Sequence, residues 1–228
     1  MRFYALNAID LASHRCGIEI VPDSSDEQVA GALLALWERL GLPVRLQLDN
    51  GGPFVAPKGL GLLVRLCLHQ GVIPRFIPPR EPWRQGTIEH FNDTFDKRFF
   101  RQERFASLPH LTERARDFET FHNGNHRYRA TNGRTPAESA GDGERRRPRP
   151  LAELPESWPA AGRVEFVRFI RSDRKLRLLN RAITMPETVV YEYVTAVLDL
   201  AIEPAEGNLR VLRAGEIVTT ESITIGGS

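Results

Sequence analysis

The sequence predicts an α/β fold, a mixed sheet with flanking helices, followed by a small all-β barrel. Three observations predict it. Short β-prone runs alternate with amphipathic helical stripes up to residue 140. A Pro- and Arg-rich stretch interrupts that pattern at 141–161, and beyond it only short β-prone runs between turn signals remain. The domains expected are therefore 1–140 (α/β core), 141–161 (linker) and 162–228 (small β-barrel).

Residues 3–9 and 16–21 are two apolar runs joined by Asp10-Leu11-Ala12-Ser13-His14-Arg15, the pattern of a hairpin. Ser24 and Glu27 have capping-box spacing ahead of the stripe Val29, Leu33, Leu36, Trp37 and Leu40, which Gly41 and Pro43 end. Residues 44–48 form a strand running into Asp49-Asn50-Gly51-Gly52, whose turn chemistry puts the Asp49 carboxylate at the strand's C-terminal end. A helix over 59–70 and a strand over 72–77 follow. Pro78, Pro79 and Pro82 hold the chain extended until Gly86, where Ile88, Phe91, Phe95 and Phe99 begin a helical stripe. That stripe turns inward and leaves Glu89, Asn92, Asp93 and Asp96 on the polar face. Further helices are predicted at 108–121 and 135–139, and strands at 163–170, 174–179, 189–197, 209–213 and 216–220.

Composition narrows the function classes. A chain of 228 residues, 41% hydrophobic and 26% charged, can bury a core and is not disordered throughout. Its apolar runs fall far short of the ~20 residues of a membrane span. Asp10 interrupts any leader-like apolar stretch, so a cytoplasmic protein is expected. Cys16 and Cys67 lie in apolar surroundings and read as buried free thiols. The net charge is only +2, yet residues 80–150 carry 15 basic against 11 acidic side chains, nearly all the cations being arginine.

Asp49 ends a strand and Glu89 stands one turn into a helix 40 positions later. Two carboxylates on different rigid elements can share hard cations such as Mg²⁺, which takes oxygen ligands from one or two acids plus phosphate and water. The residues around them resemble a family. Leu48-Asp49-Asn50-Gly51-Gly52-Pro53-Phe54, then Gly71-Val72-Ile73, the prolines from Pro78 to Pro82, and Gln85-Gly86-Thr87-Ile88-Glu89-His90-Phe91-Asn92 are similar to the catalytic core of DDE transposases and retroviral-type integrases. The order continues with Ile9-Asp10-Leu11-Ala12-Ser13 upstream. Downstream, His122-Asn123-Gly124-Asn125-His126-Arg127 and Gly133-Arg134-Thr135-Pro136 resemble the tail of bacterial insertion-sequence transposases. Residues from Val164 through Asn180 are similar to a small β-domain appended to some of these enzymes.

The resemblance implies a ribonuclease H-like core and Mg²⁺-dependent (or Mn²⁺-dependent) cutting and joining of DNA strands, with two ions held by three carboxylates. Asp49 matches the second acid and Glu89 the third. Gln85 and Gly86 match the approach to the catalytic helix, and Asn92 lies one turn after Glu89. Asn50, Arg84, Lys97, Arg98 and Arg101 are the accompanying candidates for DNA contact, since backbone phosphates need no sequence code. The partners implied are double-stranded DNA, at transposon ends and target, and further copies of the chain assembled on it.

The sequence also departs from the pattern. The family's first acid precedes the first hairpin, and the given chain begins at Met1 without that strand, so impaired activity and an open β edge at residues 3–9 are expected. Asp10 is the nearest acid but matches a hairpin residue, a weak candidate for a metal ligand. Asp93 and Asp96 stand where retroviral relatives have basic residues. His122 and His126 have the i, i+4 spacing of a zinc pair, but Asn123-Gly124-Asn125 reads as a helix breaker, and local hydrogen bonding is the expectation. The alternative function is a DNA-binding or assembly remnant that keeps the fold without the reaction.

Overall fold

The computed structural model describes residues 3–48, 55–56, 59–78, 81, 86–141, 143, 145–154, 161–179, 181–200 and 206–224. In chain order the elements are β1 (Tyr4–Ile9), β2 (Cys16–Val21), α1 (Asp26–Leu40), β3 (Arg45–Leu48), β4 (Val55–Ala56), β5 (Gly59–Leu60), α2 (Leu62–His69), β6 (Ile73–Phe76) and α3 (Gly86–Phe95). They continue with α4 (Leu108–Asn125), α5 (Pro136–Ala140), β7 (Gly162–Phe169), β8 (Lys175–Leu178), β9 (Arg181–Thr184), β10 (Tyr193–Leu200), β11 (Glu206–Arg213) and β12 (Glu216–Thr224). Two compact units result, 1–42 with 82–151 and 43–81 with 152–228.

In the first unit β1 and β2 form the antiparallel hairpin that the sequence predicts, from Tyr4 opposite Val21 to Ile9 opposite Cys16. Cys16 and Ile18 project into a core with Phe91, Phe95, Phe99, Leu111 and Ala115, so the aromatic stripe of α3 is buried as its spacing requires. Helix α1 starts one residue later than the Ser24–Glu27 spacing implies. Asp23 accepts a hydrogen bond from the Ser25 backbone N–H (2.9 Å), making Ser25 the N-cap, and no side chain caps the helix. A capping box does form at α5, between Thr135 and Glu138.

Among the described residues the edge of β2 away from β1 has no strand beside it, and helix side chains close it. Glu119 of α4 accepts the Ile18 N–H (2.8 Å), and Asn123 both accepts the Cys16 N–H and donates to its carbonyl (2.9 Å each). Arg39 and Arg116 donate to the Ile18 carbonyl and pair with Glu19 and Glu119, both buried. Buried backbone donors and acceptors must find partners, and here side chains substitute for a missing strand. Residues Asn123 to Asn125 therefore remain helical, contrary to the reading of Asn-Gly-Asn as a breaker: both polar ends of the Asn123 amide are held by Cys16 within the α4 geometry.

In the second unit one sheet runs in the order β12-β11-β10-β7-β6-β3. Strand β6 pairs in parallel with both β3 and β7, and the remaining neighbours are antiparallel, giving a mixed sheet. Helix α2 contributes Val64 and Leu68 to a core shared with Phe76, Val164, Phe166, Ala196, Leu198 and Leu209. Phe76 and Phe166, directly paired across β6 and β7, stack with ring centroids 5.2 Å apart. The buried Glu165 on β7 meets Arg45 of β3 (3.3 Å) and Arg75 of β6 (3.8 Å). The strands after residue 161 thus extend the sheet containing 45–48 and 73–76, which differs from the expected division at a linker. Strand β9 was absent from the sequence reading, and β8 with β9 forms a separate hairpin.

The linker segment is extended and largely exposed over 145–150, yet it is anchored in the first unit: Leu42 N–H donates to the Arg146 carbonyl (2.9 Å). Both cysteines are free and buried, as expected; burial raises the Cys67 thiol to about 12. No helix among the described residues is long and apolar enough to cross a membrane.

Candidate active site

Glu89 occupies the first turn of α3, exposed, because Ile88, Phe91 and Phe95 on the same helix face the core. Among the described residues its carboxylate makes no hydrogen bond or ion pair, which leaves both oxygens available. Acidic charge in a helix's first turn is also favoured by the macrodipole. Asn92, one turn further, is exposed on the adjoining face and accepts a hydrogen bond from Asn7 Nδ2 (2.9 Å). Asn7 lies on β1, and its own Oδ1 is buried without a partner. Sequence reading missed Asn7. The signal was present as a carboxamide inside the otherwise apolar run Leu6-Asn7-Ala8-Ile9.

A Cβ placed on Gly86 would meet no atom of the described residues within 4 Å. After Phe95 the helix widens into one π-turn over Asp96–Phe100. Lys97 pairs with Asp93 (2.8 Å) and Arg101 with Asp96 (2.7 Å), so the two acids that depart from the retroviral pattern neutralise two of the candidate cations. Both pairs are solvent-exposed and individually weak, which lets a phosphate compete for either cation. Arg98 is exposed.

Asp10 sits in the β1–β2 turn, where its Oδ1 accepts from both the backbone N–H and the hydroxyl of Ser13 (2.7 Å each). That is the local Asx-turn role of a hairpin residue. Asp49, Asn50, Arg84 and Gln85 lie outside the described residues, as do Trp83 and the prolines Pro79 and Pro82. Among the described residues no group of three or more His, Cys, Asp or Glu side chains is gathered for a metal. Glu89 does fit a hard divalent ion as one ligand: it is an oxygen donor, unpaired and open to solvent.

Behind α3 lies an aromatic and imidazole cluster. His122 on α4 is buried, its Nε2 2.9 Å from the Tyr128 hydroxyl, with Phe91 edge-on at 5.2 Å and His126 stacked at 4.7 Å between centroids. His14 stacks on Tyr128 at 4.3 Å. Burial above all, then the nearby His126, Arg98 and His14, depress His122 to about 4, and burial and Arg98 lower His126 as well. His122 makes the local hydrogen bond expected of it, whereas the His126 ring makes only aromatic contacts, with His122 and Tyr128, among the described residues.

A pH dependence follows. The unfolded chain protonates His122 near 6.5 and the folded chain only near 4, so the unfolded state binds more protons inside that window and stability falls as pH drops through it. The contribution is intact above pH 6.5 and is reduced by about 2 kcal/mol at pH 5. Thermal melts from pH 7.5 to 5 should show the decline, and His122→Phe should flatten it. An unchanged slope in that variant would remove His122 as the cause.

The fold places the chain in a class: an α/β, ribonuclease H-like core, its mixed sheet flanked by helices, with additional antiparallel strands. A family model described as integrase core domain matches residues 70–136, the segment holding α3, Glu89 and α4. Over its length the chain is similar to a chain in the cryoEM structure of the simian T-cell lymphotropic virus intasome in complex with PP2A regulatory subunit B56 gamma. That match has a TM-score of 0.51 and 12% identity, and covers 98% of this chain and 74% of that one. No curated protein matches the chain.

Proposed function

We propose that the chain is a polynucleotidyl transferase of the DDE transposase and integrase type, acting on double-stranded DNA with Mg²⁺ or Mn²⁺. One observation carries the reading: within the segment that matches the integrase core, α3 presents Glu89 as an exposed, unpaired carboxylate on the face opposite its buried phenylalanines. Glu89 and Asp49 are the acids that would hold divalent ions. When bound, such ions activate the attacking water or 3′-hydroxyl and stabilise the leaving oxygen at the scissile phosphate. Asn92, steadied by Asn7, offers an amide donor beside Glu89 for a phosphate oxygen. Gly86 lets the DNA backbone approach. Asn50, Arg84, Gln85, Lys97, Arg98 and Arg101 are the residues that would contact the DNA backbone, and assembly of several copies on DNA ends would complete the site.

A second reading has its own support. Asp10, the remaining acid near the first hairpin, has one oxygen occupied by Ser13. Asp10 thus keeps a local turn role, and a DNA-binding or assembly role without the reaction is the alternative.

One assay separates them. The chain is incubated with supercoiled plasmid and with a labelled duplex in Mg²⁺, Mn²⁺ or EDTA. Metal-dependent open circles and joined products support the transferase. DNA that is bound but neither nicked nor joined in either metal would overturn it in favour of the binding role.

A further inference from the structure

The run Tyr4-Ala5-Leu6-Asn7-Ala8-Ile9 of β1 carries no charge and no proline, yet none of its residues is buried, whereas five of the six in β2 are. The ladder fixes which of its backbone groups lack partners. In antiparallel pairing, opposed residues alternate between those that bond each other and those that turn N–H and C=O outward. The outward residues of β2 include Cys16 and Ile18, whose N–H and C=O groups are held by side chains of α1 and α4. Their partners across the ladder, Ile9 and Asn7, are therefore outward residues of β1, and Ala5, opposite Ile20, is the next. Among the described residues no hydrogen bond reaches the backbone of Ala5, Asn7 or Ile9 on that side.

The outer strands of the six-stranded sheet are protected where β1 is not. Strand β12 carries Glu216 and Glu221 and faces a register irregularity at Val211–Leu212, and β3 is four residues long and begins with Arg45. Charges, bulges and short length keep sheet edges apart, and β1 has no charge, no register shift and six residues. Its edge is a template for another strand.

We infer that β1 pairs with β1 of a second copy of this chain, antiparallel about a two-fold axis at Asn7, joining the two hairpins into one continuous sheet. In that register Ala5 lies opposite the second copy's Ile9, Asn7 opposite the second copy's Asn7, and Ile9 opposite the second copy's Ala5. Each outward residue thus meets an outward residue, and no like charges meet. Asn7 favours this occupant over any other strand. Its Oδ1 is buried without a partner, while its Nδ2 donates to Asn92. A carboxamide has two N–H donors, so at the centre of the pairing the second copy's Asn7 brings a donor to that oxygen, and the exchange is reciprocal. A strand of unrelated sequence supplies backbone bonds without this donor. The pairing needs neither DNA nor metal and does not rest on the proposed function.

The test is the association state of the full 228-residue chain, read by sedimentation velocity in EDTA without DNA, from about 1 to about 200 µM, where a small interface dissociates. A monomer–dimer equilibrium is expected. Ala5→Pro removes one outward N–H and no bond of the hairpin, a position at which edge strands accept proline. It should weaken dimerisation about 10-fold or more with an unchanged circular dichroism spectrum. Ala5→Lys, at an exposed side chain, should weaken it likewise by placing a charge on the edge, and decides the matter if the proline variant does not fold. Hydrogen exchange reads the register: the amides of Ala5, Asn7 and Ile9 should gain protection as concentration rises, while those of Leu6 and Ala8, bonded within the hairpin, are protected throughout. A chain still monomeric at about 200 µM would overturn the inference. So would a dimer that the Ala5 variants leave intact, or one without protection at those amides, because another surface would then join the copies. Failure of plasmid nicking with this dimer retained would strike the catalytic reading and leave the pairing standing.

Discussion

Replacing Glu89 by Gln is expected to reduce metal-dependent nicking and joining of DNA by at least ~10³-fold, about 4 kcal/mol of barrier, while leaving duplex affinity within about 2-fold. The substitution keeps the shape of the side chain and removes its charge. Glu89 is exposed and bonded to nothing else among the described residues, so no structural consequence is expected, and circular dichroism and melting temperature in EDTA should match the wild type. A second readout does not depend on turnover. Millimolar Mn²⁺ should raise the melting temperature of the wild type, since an ion that binds only the folded chain stabilises it, and the gain should vanish in Glu89→Gln. Equal Mn²⁺ stabilisation of both proteins would remove Glu89 from the metal site, and with it the proposed chemistry.

Replacing Glu119 by Ala is expected to cost about 3–5 kcal/mol, a large share of a typical net stability of about 5–15 kcal/mol. Glu119 is buried, accepts the Ile18 backbone N–H, and pairs with both Arg39 and Arg116. Its removal strands a buried backbone donor on the otherwise strandless edge of β2 and leaves Glu19 as the remaining acid for two guanidiniums. Losing one member of a buried ion network is much more damaging than replacing the whole network by apolar groups. Urea melts should therefore show a large loss for Glu119→Ala and a smaller one for Glu119→Gln, which can still accept from Ile18. A loss below ~1 kcal/mol for the alanine variant would mean that the edge is not sealed in this way.

The local elements were legible because their signals are local. Ile88, Phe91, Phe95 and Phe99 recur at helical spacing, and that spacing forces Glu89 and Asn92 to the outside, as found. The hairpin at 4–21 and the existence of strands at 45–48 and 73–76 likewise follow from apolar runs and their connections. The start of α1 was misread because Ser24 and Ser25 are chemically equivalent caps, and only the bond from Ser25 to Asp23 selects between them. Asn7 was missed because one amide in a strand carries no periodicity; it acquires meaning when Asn92 is placed beside it.

By itself the sequence determined the kinds of element, their buried faces, and the exposure of the one described candidate acid on α3. Tertiary structure decided which strand lies beside which: β7 joins β6 across some ninety intervening residues, and Glu119 and Asn123 of α4 take the place of a strand along β2. The reason is physical. An apolar pattern records that a face is removed from water, whereas backbone hydrogen-bonding edges carry no side-chain code, so the identity of the neighbour is settled only when distant segments compete for the same edge.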